Sequence, residues 1–145
     1  MPIQFLFLQN RMGKTRLAKF YTATEYAERE RQKTDVHKLI NNRESRFSNF
    51  VEYKDKTKLV YRRYAGLFFC LGVDPSDNEL VYLEFIHLLV EVLDMFFKDV
   101  CELDLVFNFH KVYMIIDELI LGGEIQEMSR PVILERLKTM DLTSK

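Results

Sequence analysis

Gly13-Lys14-Thr15 has the residue types that close a phosphate-binding loop. Such a loop also needs a glycine five residues before Gly13, where Leu8 stands, and a helix after it, where a strand-like run follows. Nucleotide binding is therefore set aside. His37, His87 and His110 fall on three different elements, none beside a cysteine or a second histidine at ligand spacing. Core or surface positions account for them. The carboxylates Glu102 and Asp104, and Asp117 and Glu118, lie near helix ends, where capping or a solvated stripe explains them. No nucleophile, base and orienting group can be assembled. The chain reads as non-enzymatic, with no catalytic residue, cofactor or metal expected.

The basic residues carry more. Arg11, Lys14 and Arg16 cluster at one turn, and Arg62 and Arg63 sit together further on. They could form a local anion site or simply a solvated, aggregation-resistant strand edge. Strand arginines beside spare apolar helix surface would suit a short peptide carrying an acid and large aliphatic side chains.

The element that must position them is the run Lys58 to Val73, KLVYRRYAGLFFCLGV. Leu67 to Val73 is apolar at both parities, so both faces of that strand must be hidden and it should be central. Ala65-Gly66 marks the turn between two adjacent antiparallel strands. Before them, Ile3 to Gln9 reads as another inner strand, Asn10 to Gly13 as a hairpin turn, and Lys14 to Tyr21 as the return strand. By strict alternation, Thr15, Leu17, Lys19 and Tyr21 share one face of it, and Lys14, Arg16, Ala18 and Phe20 the other.

Thr22 to Glu25 has capping-box spacing and opens a surface helix running to about Asn42, with Tyr26, Ala27, Val36, Leu39 and Ile40 as its apolar face and Asn41, Asn42 and Ser45 as its stop. Ser48 to Lys54 reads as a strand, and Asp55 to Thr57 as a turn. Ser76 and Glu79 suggest a second capping box before a helix from Leu80 to Val100, whose only polar stripe is Glu84, His87, Glu91, Asp94 and Lys98. A further apolar helix is expected from about Asp104 to Leu121, stopped by Gly122-Gly123, and a last short one over Ser129 to Met140. Packed together, the two apolar helices leave surface that loops or, as we favour, another protein must cover.

The order predicts one α+β domain over residues 1–145, a five-stranded, mainly antiparallel sheet between one helix and a C-terminal set of helices. Charged residues make up 30% and apolar residues 48%, a globular composition, and the net charge of -1 gives no field that points to nucleic acid. Cys70 and Cys101 lie in apolar runs without metal or disulfide spacing, which suits buried free thiols in a reducing compartment. MPIQFLFLQNR lacks the features of a signal peptide, and no apolar run reaches a membrane span. The expectation is a cytosolic protein.

Four runs carry a resemblance. They are Phe7 to Arg11 with Gly13 to Lys19, then Val60 to Leu67, and Val100 to Phe109. Together they resemble the clathrin adaptor small chain, or sigma subunit, and the similarity extends over essentially the whole chain. Leu59 to Phe69 matches the small-chain signature except that Phe68 stands where tyrosine is usual. The wording GKTRLAK and YRRYAG is closest to the endocytic, plasma-membrane adaptor. The resemblance implies a longin-type fold and a heterotetramer of two large chains, a medium chain and this small chain, docked directly on a large chain. It implies recognition of acidic dileucine sorting signals on cargo tails at the cytoplasmic face of the plasma membrane, in clathrin-coated pits, with clathrin and membrane met only through the complex. Carried over by motif, Arg16 would face the acidic residue of the signal. Ala65, Leu67, Val90, Val100 and Leu105 would line the pockets for its two aliphatic side chains. Asp99 departs from the family's asparagine at this site. The sigma subunit of a Golgi or endosomal adaptor is a second reading. A free-standing longin domain of a fusion protein is a third, which would call for a fusion helix and an anchor that are not seen before Lys145.

Overall fold

The computed structural model describes residues 3–41, 49–54, 56–98, 100–126, 131–136 and 138. Five strands, β1 (Phe5–Asn10), β2 (Thr15–Phe20), β3 (Phe50–Lys54), β4 (Thr57–Tyr64) and β5 (Leu67–Val73), form one antiparallel sheet in the order β2-β1-β5-β4-β3. The run that is apolar at both parities, β5, is the middle strand, and all seven of its residues are buried. Its hairpin with β4 turns through Ala65 and Gly66, with φ of 51° and 78°, the paired left-handed geometry of a type I′ turn.

Each face has its own core. On one side α1 (Tyr26–Asn41) covers Phe5, Phe7, Leu59 and Cys70 with Val36 and Ile40. On the other, α2 (Glu79–Phe97), α3 (Glu102–Phe107) and α4 (Phe109–Leu119) cover Leu6, Leu8, Leu17, Phe69 and Leu71. Burial pushes the Cys70 thiol far above its ordinary range. Cys101 is only half-buried, at the start of α3, rather than in the core that its apolar neighbours suggested.

Local structure departs from the sequence expectations at identifiable points. Only the C-terminal half of α1 seats on the sheet; Tyr26 is exposed, and polar contacts hold much of the rest. Examples are Lys54 Nζ to Glu28 Oε1 at 2.8 Å and Tyr53 Oη to Asp35 Oδ2 at 2.9 Å. The Thr24 hydroxyl donates to the Thr22 carbonyl at 3.2 Å, and the helix starts two residues later. The α2 cap is Asn78, whose side chain accepts from Leu80 N at 3.0 Å, while Ser76 donates to Asp74 at 2.6 Å. The expected helix over 104–121 breaks at Asn108, with φ of -124° and ψ of 34°, and its end becomes a strand. That strand, β6 (Ile120–Leu121), pairs with β7 (Glu124–Ile125) through Gly122 and Gly123, both at positive φ. The two glycines therefore make a hairpin rather than a helix stop, and Gly123 O accepts from Ile3 N at 2.6 Å. Of the expected last helix, residues 131–136 and 138 are helical and Ile133 is buried. Residues 42–48, including Asn42 and Ser45, lie outside the described residues, as does Asp55.

Apolar surface is left over on both of the expected apolar helix stretches: Leu80, Val81 and Met95 are exposed on α2, and Val106, Phe107, Phe109 and Leu121 on the stretch after it. The sheet and the neighbouring helices bury eight residues of α2, from Tyr82 to Leu93. Much of the exposed remainder gathers where α3 meets α4, at Leu103, Val106, Phe107 and Phe109, with Phe107 at 76%. The cause is the break at Asn108, which prevents one straight helix from laying a single stripe on the core.

Candidate peptide-binding site

Strict alternation fails on β2. Leu8 pairs with Leu17 and Gln9 with Thr15, so Arg16 is the extra residue of a β-bulge. Thr15 is thereby turned to the α1 side, where its hydroxyl meets Gln9 Nε2 at 3.2 Å, while Leu17 enters the core under α2. Arg16, released from the pleat, reaches α3. Its Nε donates to Glu102 Oε2 at 2.5 Å. Asn10 Nδ2 donates to the same oxygen at 2.9 Å, and the other end of the Asn10 amide caps the hairpin turn by accepting from Met12 N and Lys14 N. These donors, with Arg16 first and Asn10 second, hold the Glu102 carboxyl below its ordinary range.

Four of the expected pocket residues belong to the core on the α2 face: Leu67 on β5, Val90 on α2, Leu105 on α3 and Val100 just before α3, each at most 6% exposed. Nearby, Asp94 on α2 accepts from the Tyr64 hydroxyl and, through its other oxygen, from Val100 N at 2.9 Å. Asp104 accepts from Cys101 N at 3.0 Å. The segment from Val100 to Leu105 is thus fastened by three carboxylates, Asp94, Glu102 and Asp104.

Ala65 stands apart from that core, exposed on the β4–β5 turn. It lines a cleft of about 460 Å³ with Arg11, Asn41, Arg63, Tyr64, Gly66, Leu67 and Phe68. Asp99 lies outside the described residues. The five bases do not form one site. Arg11 and Arg63 border the Ala65 cleft, Arg63 stacked 4.9 Å over Phe68. Arg62 lines a shallow groove with Leu80, Leu83, Glu84 and His87, and Arg16 faces α3. The sequence reasoning did not find Glu102 as Arg16's partner or Asp94 as the Val100 anchor. Both had been accounted for as helix-end or stripe carboxylates, and nothing in local spacing ties either to a strand residue.

Among the described residues no group of three or more metal-ligating side chains converges, and no helix is long and apolar enough to cross a membrane.

Residues 2–144 match the family described as the clathrin adaptor complex small chain. The chain is 58% identical to the AP-2 complex subunit sigma of Aspergillus fumigatus over 142 residues, 97% of this chain and 98% of that one. To the Saccharomyces cerevisiae AP-2 complex subunit sigma it is 51% identical over 144 residues, again 97% and 98%. To the Schizosaccharomyces pombe AP-1 complex subunit sigma-1 it is 48% identical over 145 residues, all of this chain and 89% of that one. In three dimensions it is similar to a chain in a homology model of the full-length AP-3 complex in a stretched open conformation. The TM-score is 0.75 and the identity 28%, with 98% of this chain and 95% of that chain covered.

Proposed function

Because this chain belongs to the clathrin adaptor complex small-chain family, we propose that it serves as the sigma subunit of an endocytic adaptor and binds acidic dileucine signals of cargo tails. The AP-2 sigma relatives, at 51% and 58% identity over nearly the whole chain, support the endocytic choice over the AP-1 relative at 48%. The single observation that carries the peptide reading is adjacency. Arg16 is bonded to the first residue of α3, and the same helix supplies Leu105 to the buried core that also holds Leu67, Val90 and Val100. An extended peptide with an acid upstream of two leucines would find a cation and an apolar cluster side by side.

Burial of the two leucines would contribute about 2 kcal/mol each, and an exposed Arg16–acid pair about 1 kcal/mol or less. Aliphatic contacts should then dominate affinity, while Arg16 sets selectivity and salt dependence. The cluster is closed by the chain's own side chains, so binding requires the Val100–Leu105 segment to yield. Assembly with two large chains and a medium chain would place the subunit at the cytoplasmic face of the plasma membrane in coated pits. The exposed apolar residues around Phe107 are candidates for cover in that assembly.

Two experiments test this. Native affinity purification of the tagged chain should recover two large chains and one medium chain in equal amounts; a stable monomer would sink the subunit reading. In a peptide titration of the purified assembly, Arg16→Ser should weaken binding and Val90→Asp should abolish it. Val90 is buried, so the second variant needs a thermal-unfolding control. Unchanged affinity in both would refute the site.

A further inference from the structure

We infer that Glu102 is an internal stand-in for the acidic residue of the signal, occupying Arg16 while the site is empty and displaced by the incoming peptide. The inference rests on the dileucine reading of the site and adds its regulation.

The geometry is that of a carboxylate recognised as a ligand. Arg16 and Asn10 converge on one Glu102 oxygen, at 2.5 Å and 2.9 Å, from adjacent strands. Lys14 adds its field to theirs. The pair is neither sealed nor free in solvent, since the Arg16 and Glu102 side chains are 25% and 33% exposed. The guanidinium therefore keeps an open side toward solvent, from which a competing carboxylate would have to approach. An ion pair at such a position is held weakly enough to be exchanged for an equivalent one.

Two consequences follow. The gain a peptide acid makes on Arg16 is net of the pairing Glu102 gives up, which lowers affinity for acidic and neutral peptides unequally. Glu102 is also the first residue of α3, directly before the turn that carries Leu105 and two residues after Val100. Releasing Glu102 removes the contact that ties the start of α3 to β2, while Asp94 and Asp104 still hold Val100 N and Cys101 N.

The test uses the chain purified with the chains that accompany it. A peptide with a glutamate upstream of two adjacent leucines, and its twin with glutamine in place of that glutamate, are titrated against the parent, Glu102→Gln and Glu102→Ala. Both variants remove the competing charge, and thermal unfolding checks that each is folded. The acidic peptide should bind each variant about two- to fivefold tighter than the parent, as expected for losing one exposed ion-pair competitor. The neutral twin should change less, added salt should shrink the gain, and an Arg16→Ser background should remove it. Equal or weaker binding of the acidic peptide would overturn the inference while leaving the dileucine site standing, and so would equal tightening of both peptides. If neither peptide binds the parent or any variant, the dileucine reading itself falls, and the inference with it.

Discussion

Arg16 and Glu102, separated by 86 positions in sequence, are joined Nε to Oε2 at 2.5 Å, and this contact ties the edge strand β2 to the first residue of α3. It exists because Arg16 is the unpaired residue of a bulge. On an unbroken strand the side chain would lie on the α1 side, with Ala18 and Phe20.

The contact should depend on pH in one direction. The Arg16 and Asn10 donors lower the folded-state pKa of Glu102 below that of the unfolded chain. Its stabilisation is therefore fully present above the ordinary carboxylate range and is lost as pH falls through the lowered value. We expect a carbon-detected NMR titration to show the Glu102 midpoint rising in Arg16→Ser toward the ordinary carboxylate range. Identical midpoints in parent and variant would show that the pair is not formed in solution.

Gly72 is a packing requirement rather than a flexible joint. A Cβ there would lie 2.3 Å from the Phe5 ring across the β1–β5 ladder, and Phe5 and Gly72 are register partners. Gly72→Ala should cost roughly 1–3 kcal/mol, the usual penalty for overpacking a filled core. Denaturant unfolding would measure it, and the double variant with Phe5→Leu should recover part of the loss. Simple addition of the two single effects would exclude the proposed clash.

Lys58 is a buried lysine whose ammonium is fully used. Its Nζ donates to Pro75 O at 3.1 Å, Asp77 O at 2.7 Å and Glu79 Oε2 at 2.9 Å, fastening β4 to the loop and first turn of α2. The Lys58 hydrogen bond is the main reason the Glu79 carboxyl sits below its ordinary range. Lys58→Met keeps the length but leaves these acceptors without that donor, and should destabilise by on the order of 1–3 kcal/mol in chemical denaturation. A neutral result would mean that water serves those carbonyls equally well.

Tyr64→Phe should loosen the Val100 end of the Val100–Leu105 segment. The Tyr64 hydroxyl and Val100 N share the Asp94 carboxylate. Removing the hydroxyl should cost about 1 kcal/mol and leave Asp94 freer to move away from Val100. Hydrogen exchange at the Val100 amide should accelerate while central β5 amides keep their protection. Equal acceleration throughout would indicate global destabilisation rather than a local latch.

What the sequence determined by itself was whatever local pattern controls. Apolar residues at both parities made Leu67 to Val73 the central strand, and Ala65-Gly66 marked its hairpin, because burial on two faces and left-handed turn geometry act within a few residues. The order of strands and most helices followed from the same kind of pattern, whereas the family was reached by the resemblance of GKTRLAK, YRRYAG and CELDLVFNF to the small chain. The tertiary structure decided the rest. Alternation alone turned Thr15 and Arg16 to the wrong faces, since a bulge is set by pairing with β1. Gly122-Gly123 became a hairpin turn, since β6 found a partner in β7 and Ile3 bonded to that turn. The roles of Glu102 and Asp94 were hidden for the same reason. A carboxylate at a helix end looks alike whether it is solvated or holds an arginine from a distant strand, and only chain closure brings the two together.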